Sequence, residues 1–145
     1  MIEINNLSGY ILGSSLNKRI FSTVAKKVLS GENRKTETIS LAFVNEEEIK
    51  KLNKKFRKKN RATDVLSFGL KYSLSRAGRG YLGEIIICPD VVRENAKKYR
   101  VSIKREMLKV FVHGILHLCG YDHEKSERGA EEMEKKQEKY LSNIK

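Results

Sequence analysis

Apolar residues recur along this chain at two spacings, and each spacing predicts a different kind of element. A repeat of three or four residues, typical of an amphipathic helix, runs through about five segments. Alternation, or a short β-branched run, predicts strands at residues 38–44, 65–68 and 84–88, with a further short strand at 2–5. Because strands and helices are mixed, we predict a single α+β domain over residues 1–145, with a small mixed β-sheet of about four strands packed with about five helices.

Residues at the ends of these segments predict where the helices begin and end. Pro89 ends one strand and suits the first turn of the helix that follows it. Gly31 is predicted to end the first helix, and the Ser- and Gly-rich stretch 71–83 is predicted to form a mobile surface loop. Residues able to cap a helix N-terminus precede the other segments: Ser14 or Ser15, Asn45 (with Glu48 in a variant of the capping box), Ser102 and Ser126.

Composition narrows the class of protein and its partners. No apolar run approaches the roughly 18 residues of a membrane span, residues 1–6 do not resemble a signal peptide, and two cysteines make no disulfide framework. A reduced, cytoplasmic protein with no membrane partner is therefore expected. The net charge of +12 lies entirely within residues 1–123 and favours a polyanion. On charge alone nucleic acid ranks first and an anionic membrane second, and nucleic acid is the partner that we predict. Lysine-rich proteins of hot habitats offer a second explanation of that charge.

All three histidines lie within eleven residues, at spacings of four and six. His113 and His117 would share one helix face, where two imidazoles can bind a single cation. Gly120 stands where this helix is expected to end, and a reversal there can bring His123 back toward the other two. Three neutral imidazoles leave one coordination position open, as in catalytic zinc sites. We therefore predict about one Zn²⁺ per chain, or another divalent metal, at the C-terminal end of a central helix.

The histidine spacing matches that of the metzincin peptidases, but the residue that serves as their base is missing. Those enzymes need His-Glu-x-x-His, and Gly114 stands at the glutamate position here. A metzincin-like metallohydrolase is therefore only a minor alternative. A metal that lowers the pKa of bound water to about 7, or polarises a phosphoryl oxygen, also serves phosphodiester cleavage. That reaction develops negative charge, for which an arginine is a suitable partner.

A strongly basic segment supplies such cations. Residues 50–61 carry eight positive charges in twelve positions, most of which we interpret as the solvated face of a helix. Arg57 differs because it follows Phe56 where that helix should end, so it can be held in place and is the candidate catalytic residue. The other candidates for RNA contact in this segment are Lys54, Lys58, Lys59 and Arg61.

Three separated motifs run through the chain. They are Asn53-x-x-x-Arg57 followed by Thr63-Asp64-Val65-Leu66-Ser67-Phe68, then Leu82-Gly83-Glu84-Ile85-Ile86-Ile87, then His113-Gly114-x-Leu116-His117-Leu118-x-Gly120-Tyr121-Asp122-His123. With these motifs, and with a last helix around Glu132-Met133 and Gln137, the sequence resembles the YbeY family of bacterial rRNA-maturation endoribonucleases over nearly its whole length. The third motif is highly specific.

This resemblance implies a site and an activity. The histidines at 113, 117 and 123 would be the zinc ligands, Arg57 would match the family's functional arginine, and Ser67 would help to hold the substrate. The implied activity is metal-dependent cleavage of single-stranded RNA, in maturation of the 3′ end of small-subunit rRNA and in ribosome quality control. The small ribosomal subunit and its associated proteins would be partners. The rival function is a non-catalytic ribosome-assembly factor whose zinc only stabilises the loop at 119–123.

Several neighbouring residues have two interpretations. Asp122 can orient a ligand histidine or accept a backbone hydrogen bond. Cys119 is interpreted as a small buried hydrophobe rather than a fourth ligand, and Tyr121 as packing under the turn rather than stacking on a base. Glu84 departs from the family pattern, which usually has aspartate there. The longer side chain matters little if this carboxylate is structural, and shifts the geometry by about a methylene if it touches metal or substrate.

Overall fold

The computed structural model describes residues 2–6, 16–69, 80–122, 126–142 and 144. In this part of the chain, four strands and five helices form one α+β domain, which confirms the predicted class. In chain order they are β1 (Ile2–Asn6), α1 (Lys18–Gly31), β2 (Thr38–Phe43), α2 (Glu46–Arg57), β3 (Val65–Gly69), β4 (Tyr81–Ile87), α3 (Pro89–Tyr99), α4 (Ile103–Leu118) and α5 (Glu127–Leu141). None of the helices described has the length and apolar content needed to cross a bilayer.

The four strands form one mixed sheet in the order β1-β2-β4-β3. β1, β2 and β4 are parallel, whereas β3 pairs with β4 in the antiparallel direction, with Ser67 opposite Ile85. The sheet is therefore mixed, as predicted, and β3 lies at one edge of it.

The larger part of the core lies between one face of the sheet and helices α1 and α4. Phe21 of α1 makes edge-to-face ring contacts with Phe43 of β2 at 5.6 Å and with Phe111 of α4 at 5.2 Å. Truncating a fully buried phenylalanine in such a core costs about 3–5 kcal/mol. A smaller cluster that includes Ile49 and Ile86 covers the opposite face. Helix α4 is thus a central helix held tightly against the sheet.

Capping confirms three of the predicted helix starts and corrects the fourth. The side chains of Asn45, Ser102 and Ser126 each accept a hydrogen bond from a backbone N–H in the first turn of α2, α4 and α5. The first helix is capped by Asn17 and begins at Lys18, so the prediction of Ser14 or Ser15 as its cap was wrong; both serines lie outside the described residues. Leu16 and Phe21, at the two positions of a hydrophobic staple around Asn17, are buried in the same cluster, which is consistent with a helix that begins at Lys18.

The predicted loop at 71–83 is shorter at its C-terminal end, because β4 begins at Tyr81. Residues 71–79 of that prediction lie outside the described residues. Gly83, which the sequence assigned to this loop, is instead a residue of β4 with φ of 154°. Because glycine has no Cβ, the Phe68 carbonyl of β3 can lie close to it. Close approach of two strands, rather than a turn, explains this glycine.

Candidate active site

A cleft of about 680 Å³ lies along β3, between α4 on one side and the segment that joins α2 to β3 on the other. It brings together residues from parts of the chain that are far apart in sequence. The predicted site residues that line it are Arg57, Lys59, Arg61, Ser67, His113, His117 and Asp122. Lys54 and Lys58 are exposed and lie outside the wall of this cleft.

The two described histidines stand one turn apart on the cleft-facing side of α4. Their rings are half-buried, with centroids 4.8 Å apart and planes at 72°. Nδ1 of His113 lies 2.5 Å from the amide oxygen Oε1 of Gln137, which is buried on α5. Because this oxygen can only accept, Nδ1 carries the proton, and in this tautomer Nε2 is the nitrogen with the lone pair that a metal takes. The buried partner thus fixes both the tautomer and the plane of the ring.

The end of α4 directs the next residues back toward the cleft. The Gly120 N–H donates to the His117 carbonyl (3.0 Å), and the Tyr121 N–H donates to the Leu116 carbonyl (3.1 Å). With φ of 105° at Gly120, these bonds form a Schellman motif, as the sequence predicted for this glycine. Asp122 follows at once and is half-buried at the cleft. The chain reversal expected before the third histidine is therefore present.

The donor set fits a zinc ion as far as the structure describes it. Among the described residues, no cluster of three His, Cys, Asp or Glu side chains is close enough to hold a metal. The predicted third ligand, His123, lies outside those residues and is joined directly to Asp122. Two neutral imidazoles on one helix face, one of them oriented by a buried amide, are the kind of ligands zinc takes.

Gly114, which stands where a metzincin has its glutamate, lies at a point of close packing between α4 and the sheet. A Cβ at this position would lie 3.0 Å from Cγ2 of Ile85 and 3.1 Å from Oγ of Ser67, so α4 packs directly on the sheet here. Any side chain at this position, a peptidase-type glutamate included, would press on Ile85 and Ser67, which would have to shift. The Ser67 hydroxyl donates to the Gly114 carbonyl (3.1 Å), so this residue, predicted to hold substrate, also ties β3 to α4.

The opposite wall of the cleft is cationic. Helix α2 ends at Arg57, as predicted, and Lys58 then takes a left-handed conformation with φ of 59°. The buried Asn53 side chain donates from its amide to the Arg61 carbonyl (2.9 Å), and the Lys59 N–H donates to the Asn53 carbonyl (3.2 Å). Asn53 thus holds the backbone of the loop at residues 58–61, while the cationic side chains of that loop are exposed.

An exposed aromatic ring completes this wall. Phe56 is 40% exposed, and its ring contacts that of Phe68 at 5.1 Å. The Lys55 ammonium lies 5.2 Å from the Phe56 ring centroid. The wall therefore combines positive charge with an accessible aromatic face.

The remaining candidates, Glu84, Cys119 and Tyr121, lie outside the wall of the cleft. Glu84 pairs with Phe68 and shares a sheet face with Ile86, away from the histidines, and burial raises the pKa of its carboxyl group. Burial also raises the pKa of the Cys119 thiol to about 11, in keeping with a small apolar residue packed against the core. The Tyr121 hydroxyl donates to Oε1 of Glu32 (2.7 Å), which supports packing under the turn.

Reasoning from sequence missed the roles of Asn53 and Gln137. Both are polar residues within apolar helical stripes, Asn53 between Ile49 and Phe56, and Gln137 between Met133 and Tyr140. A polar residue at such a position signals a buried group with a specific partner. That signal was available, but the identity of the partner was not.

Comparison with known proteins gives a consistent result. The family model described as Endoribonuclease YbeY matches residues 4–145. Proteins named Endoribonuclease YbeY from Thermotoga maritima and Thermotoga neapolitana are 42% and 37% identical to the chain, over 73% and 92% of it and 67% and 87% of their own lengths. The solution structure of TM1509 from Thermotoga maritima has a TM-score of 0.65 at 36% identity, covering 98% of this chain and 87% of that one.

Proposed function

Because the chain belongs to the endoribonuclease YbeY family, we propose that it is a zinc-dependent enzyme that cleaves single-stranded RNA during ribosomal RNA maturation. The observation that carries the proposal is the cleft itself, whose lining includes His113, His117 and Arg57. We propose that the enzyme acts in the cytoplasm on the 3′ end of small-subunit rRNA and takes part in ribosome quality control. Its proposed partners are the small ribosomal subunit and the proteins associated with it.

The metal would be held by His113, His117 and His123, with His113 oriented by Gln137. When bound, the ion supplies a Lewis acid beside the scissile phosphate. Gly114 stands where metzincins have their catalytic glutamate and packs tightly on Ile85 and Ser67, which argues against peptide hydrolysis by the metzincin route. Asp122, at the same end of the cleft, is suited to orient a ligand histidine.

Arg57 supplies the complementary charge from the other wall. Its planar guanidinium can donate two parallel hydrogen bonds to the non-bridging oxygens of a phosphate, which gain negative charge as the bond breaks. A hydrogen-bond donor that is already in position stabilises the transition state most when it points at the atoms on which negative charge develops. Lys59 and Arg61 continue the positive wall and would contact the phosphates on either side.

The cleft also favours a single strand over a duplex. A duplex keeps its bases stacked, whereas a single strand can turn a base toward the exposed face of Phe56. Stacking on an aromatic ring contributes about 1–3 kcal/mol per base and tolerates any sequence. Together with the cations, this ring suits an RNA strand of unspecified sequence.

The test is cleavage by zinc-loaded protein of a labelled single-stranded RNA, with the matching duplex and casein as competing substrate classes. We expect cleavage of the single strand, little of the duplex and none of casein. Binding without cleavage by fully loaded protein would favour the ribosome-assembly factor. Hydrolysis of casein would favour the metallohydrolase alternative.

A further inference from the structure

A second cluster of polar side chains lies outside the cleft, around the carboxylate of Glu32. This residue directly follows α1, and its side chain is only 8% exposed. It accepts hydrogen bonds from the hydroxyl groups of Tyr121 (2.7 Å) and Tyr140, and it pairs with the Lys136 ammonium at 3.2 Å. We call these four residues the Glu32 cluster. None of them touches the cleft.

The Glu32 cluster keeps its carboxylate charged. Burial by itself would raise the pKa of Glu32, but the hydrogen bonds from Tyr140, Tyr121 and Lys136 outweigh it, and the pKa lies below its ordinary value. Hydrogen bonds to an ionised acceptor are about twice as strong as neutral ones. The cluster is therefore a firm junction between the end of α1, helix α5 and the turn after α4.

Two glycines allow the backbones to approach at this junction. A Cβ at Gly31 would collide with the ring of Tyr140, so the last residue of α1 lies directly on α5. A Cβ at Gly129 would collide with the Asp122 carbonyl oxygen, so the turn itself lies against the first turn of α5. The turn is thus held by Glu32 on one side and by α5 on the other.

We propose that Glu32 and Tyr121 are positioning residues for the metal site, because their hydrogen bond holds the turn that carries Asp122 into the cleft. The inference rests on the proposed zinc site. Tyr121 adjoins Asp122, and the predicted ligand His123 comes next in the sequence. A turn that is already fixed at Tyr121 loses less conformational entropy when the metal binds, and metal affinity is correspondingly higher.

The experiment compares Tyr121→Phe with Tyr140→Phe in the full chain. Each variant removes one hydroxyl from the same carboxylate and keeps the aromatic ring, but only Tyr121 adjoins the turn residue at the cleft. Zinc affinity is measured by competition with a chelator, the ligand field by visible absorption after Co²⁺ loading, and stability by thermal unfolding of the metal-free protein.

We expect Tyr121→Phe to weaken zinc binding about tenfold or more, the range found for partners of metal ligands, and to alter the Co²⁺ spectrum. Tyr140→Phe should lower the melting temperature at least as much as Tyr121→Phe does. Its zinc affinity, however, should stay within about twofold of the wild type, far from the roughly tenfold loss expected for Tyr121→Phe. Glu32→Ala removes the acceptor of both hydroxyl groups, so it should weaken zinc binding as Tyr121→Phe does and lower the melting temperature as Tyr140→Phe does.

Equal zinc affinities for the two tyrosine variants, whether both reduced or both unchanged, would overturn the positioning role and leave the cluster a purely structural junction. The proposed zinc site would survive that result if the wild type binds the metal. A wild type that binds no zinc would overturn both proposals.

Discussion

On the α4 side of the cleft, a histidine ring and a backbone carbonyl are held by partners from other elements, whereas on the α2 side the cations are carried by exposed side chains. His113 is oriented by Gln137, and the Gly114 carbonyl is bound by Ser67. Across the cleft, Asn53 ties down the backbone of the loop, and the cationic side chains are exposed. The histidine wall supplies fixed geometry and the cationic wall supplies a field. Substitutions in the histidine wall should therefore cause large losses of metal binding and cleavage. Apart from Arg57, single substitutions in the cationic wall should weaken RNA binding only partly, to an extent that depends on salt.

The largest effect is expected at the histidine wall itself. His117→Ala should reduce bound zinc from about one ion per chain to none and abolish RNA cleavage. Metal that binds the native state at a hundred times its Kd stabilises the protein by about 2.7 kcal/mol. A chelator should therefore lower the melting temperature of the wild type but not of His117→Ala. Cys119→Ala is the control and should keep its zinc. Full zinc occupancy in His117→Ala would place the metal elsewhere.

Arg57 should behave unlike the other cations of its wall, because the proposed mechanism assigns it to the negative charge that develops on the phosphate. Arg57→Ala should reduce turnover roughly a hundred- to a thousandfold, or about 2.7–4 kcal/mol, with a much smaller loss of RNA affinity. Arg57→Lys should not restore the rate, since an ammonium cannot donate two parallel hydrogen bonds. Lys58→Ala is the matched control, next in sequence but outside the cleft wall. Similar rates for all three variants would contradict the assignment.

The fixed geometry of the histidine wall can be weakened without touching a ligand. Gln137→Leu leaves the Nδ1 proton of His113 without its acceptor and should lower zinc affinity about 10- to 100-fold. Gln137→Glu keeps an acceptor oxygen and should preserve or strengthen binding. Chelator competition measures both. Wild-type affinity in Gln137→Leu would mean that the ring is oriented by other contacts.

The smallest effect is expected for a single cation of the opposite wall. Lys59→Ala should weaken RNA binding a few-fold and reduce the slope of log affinity against log salt by about 0.7, the value for one phosphate contact on a single strand. Turnover at saturating RNA should be unchanged. Lys54→Ala, outside the cleft, should alter neither quantity. Equal salt slopes for the two variants would show that position in the cleft does not matter.

Local order was largely determined by the sequence itself. The helical repeats, the caps at Asn45, Ser102 and Ser126, and the reversal at Gly120 depend on residues within a few positions of one another. The spacing of His113 and His117 belongs to the same class, because a helix places residues four apart on one face. These features follow from backbone geometry, which does not need the rest of the fold.

Contacts between distant residues were decided only by the tertiary structure. The Ser67 hydroxyl meets the Gly114 carbonyl across 47 positions, and Tyr121 meets Glu32 across 89. The strand order that puts β3 at an edge, beside α4, likewise depends on how whole elements pack. A side chain's type states which bonds it can make, but packing of the core decides which partner comes within reach. For this reason the histidines could be found in the sequence, while Asn53, Gln137 and Glu32 acquired their roles only in the folded chain.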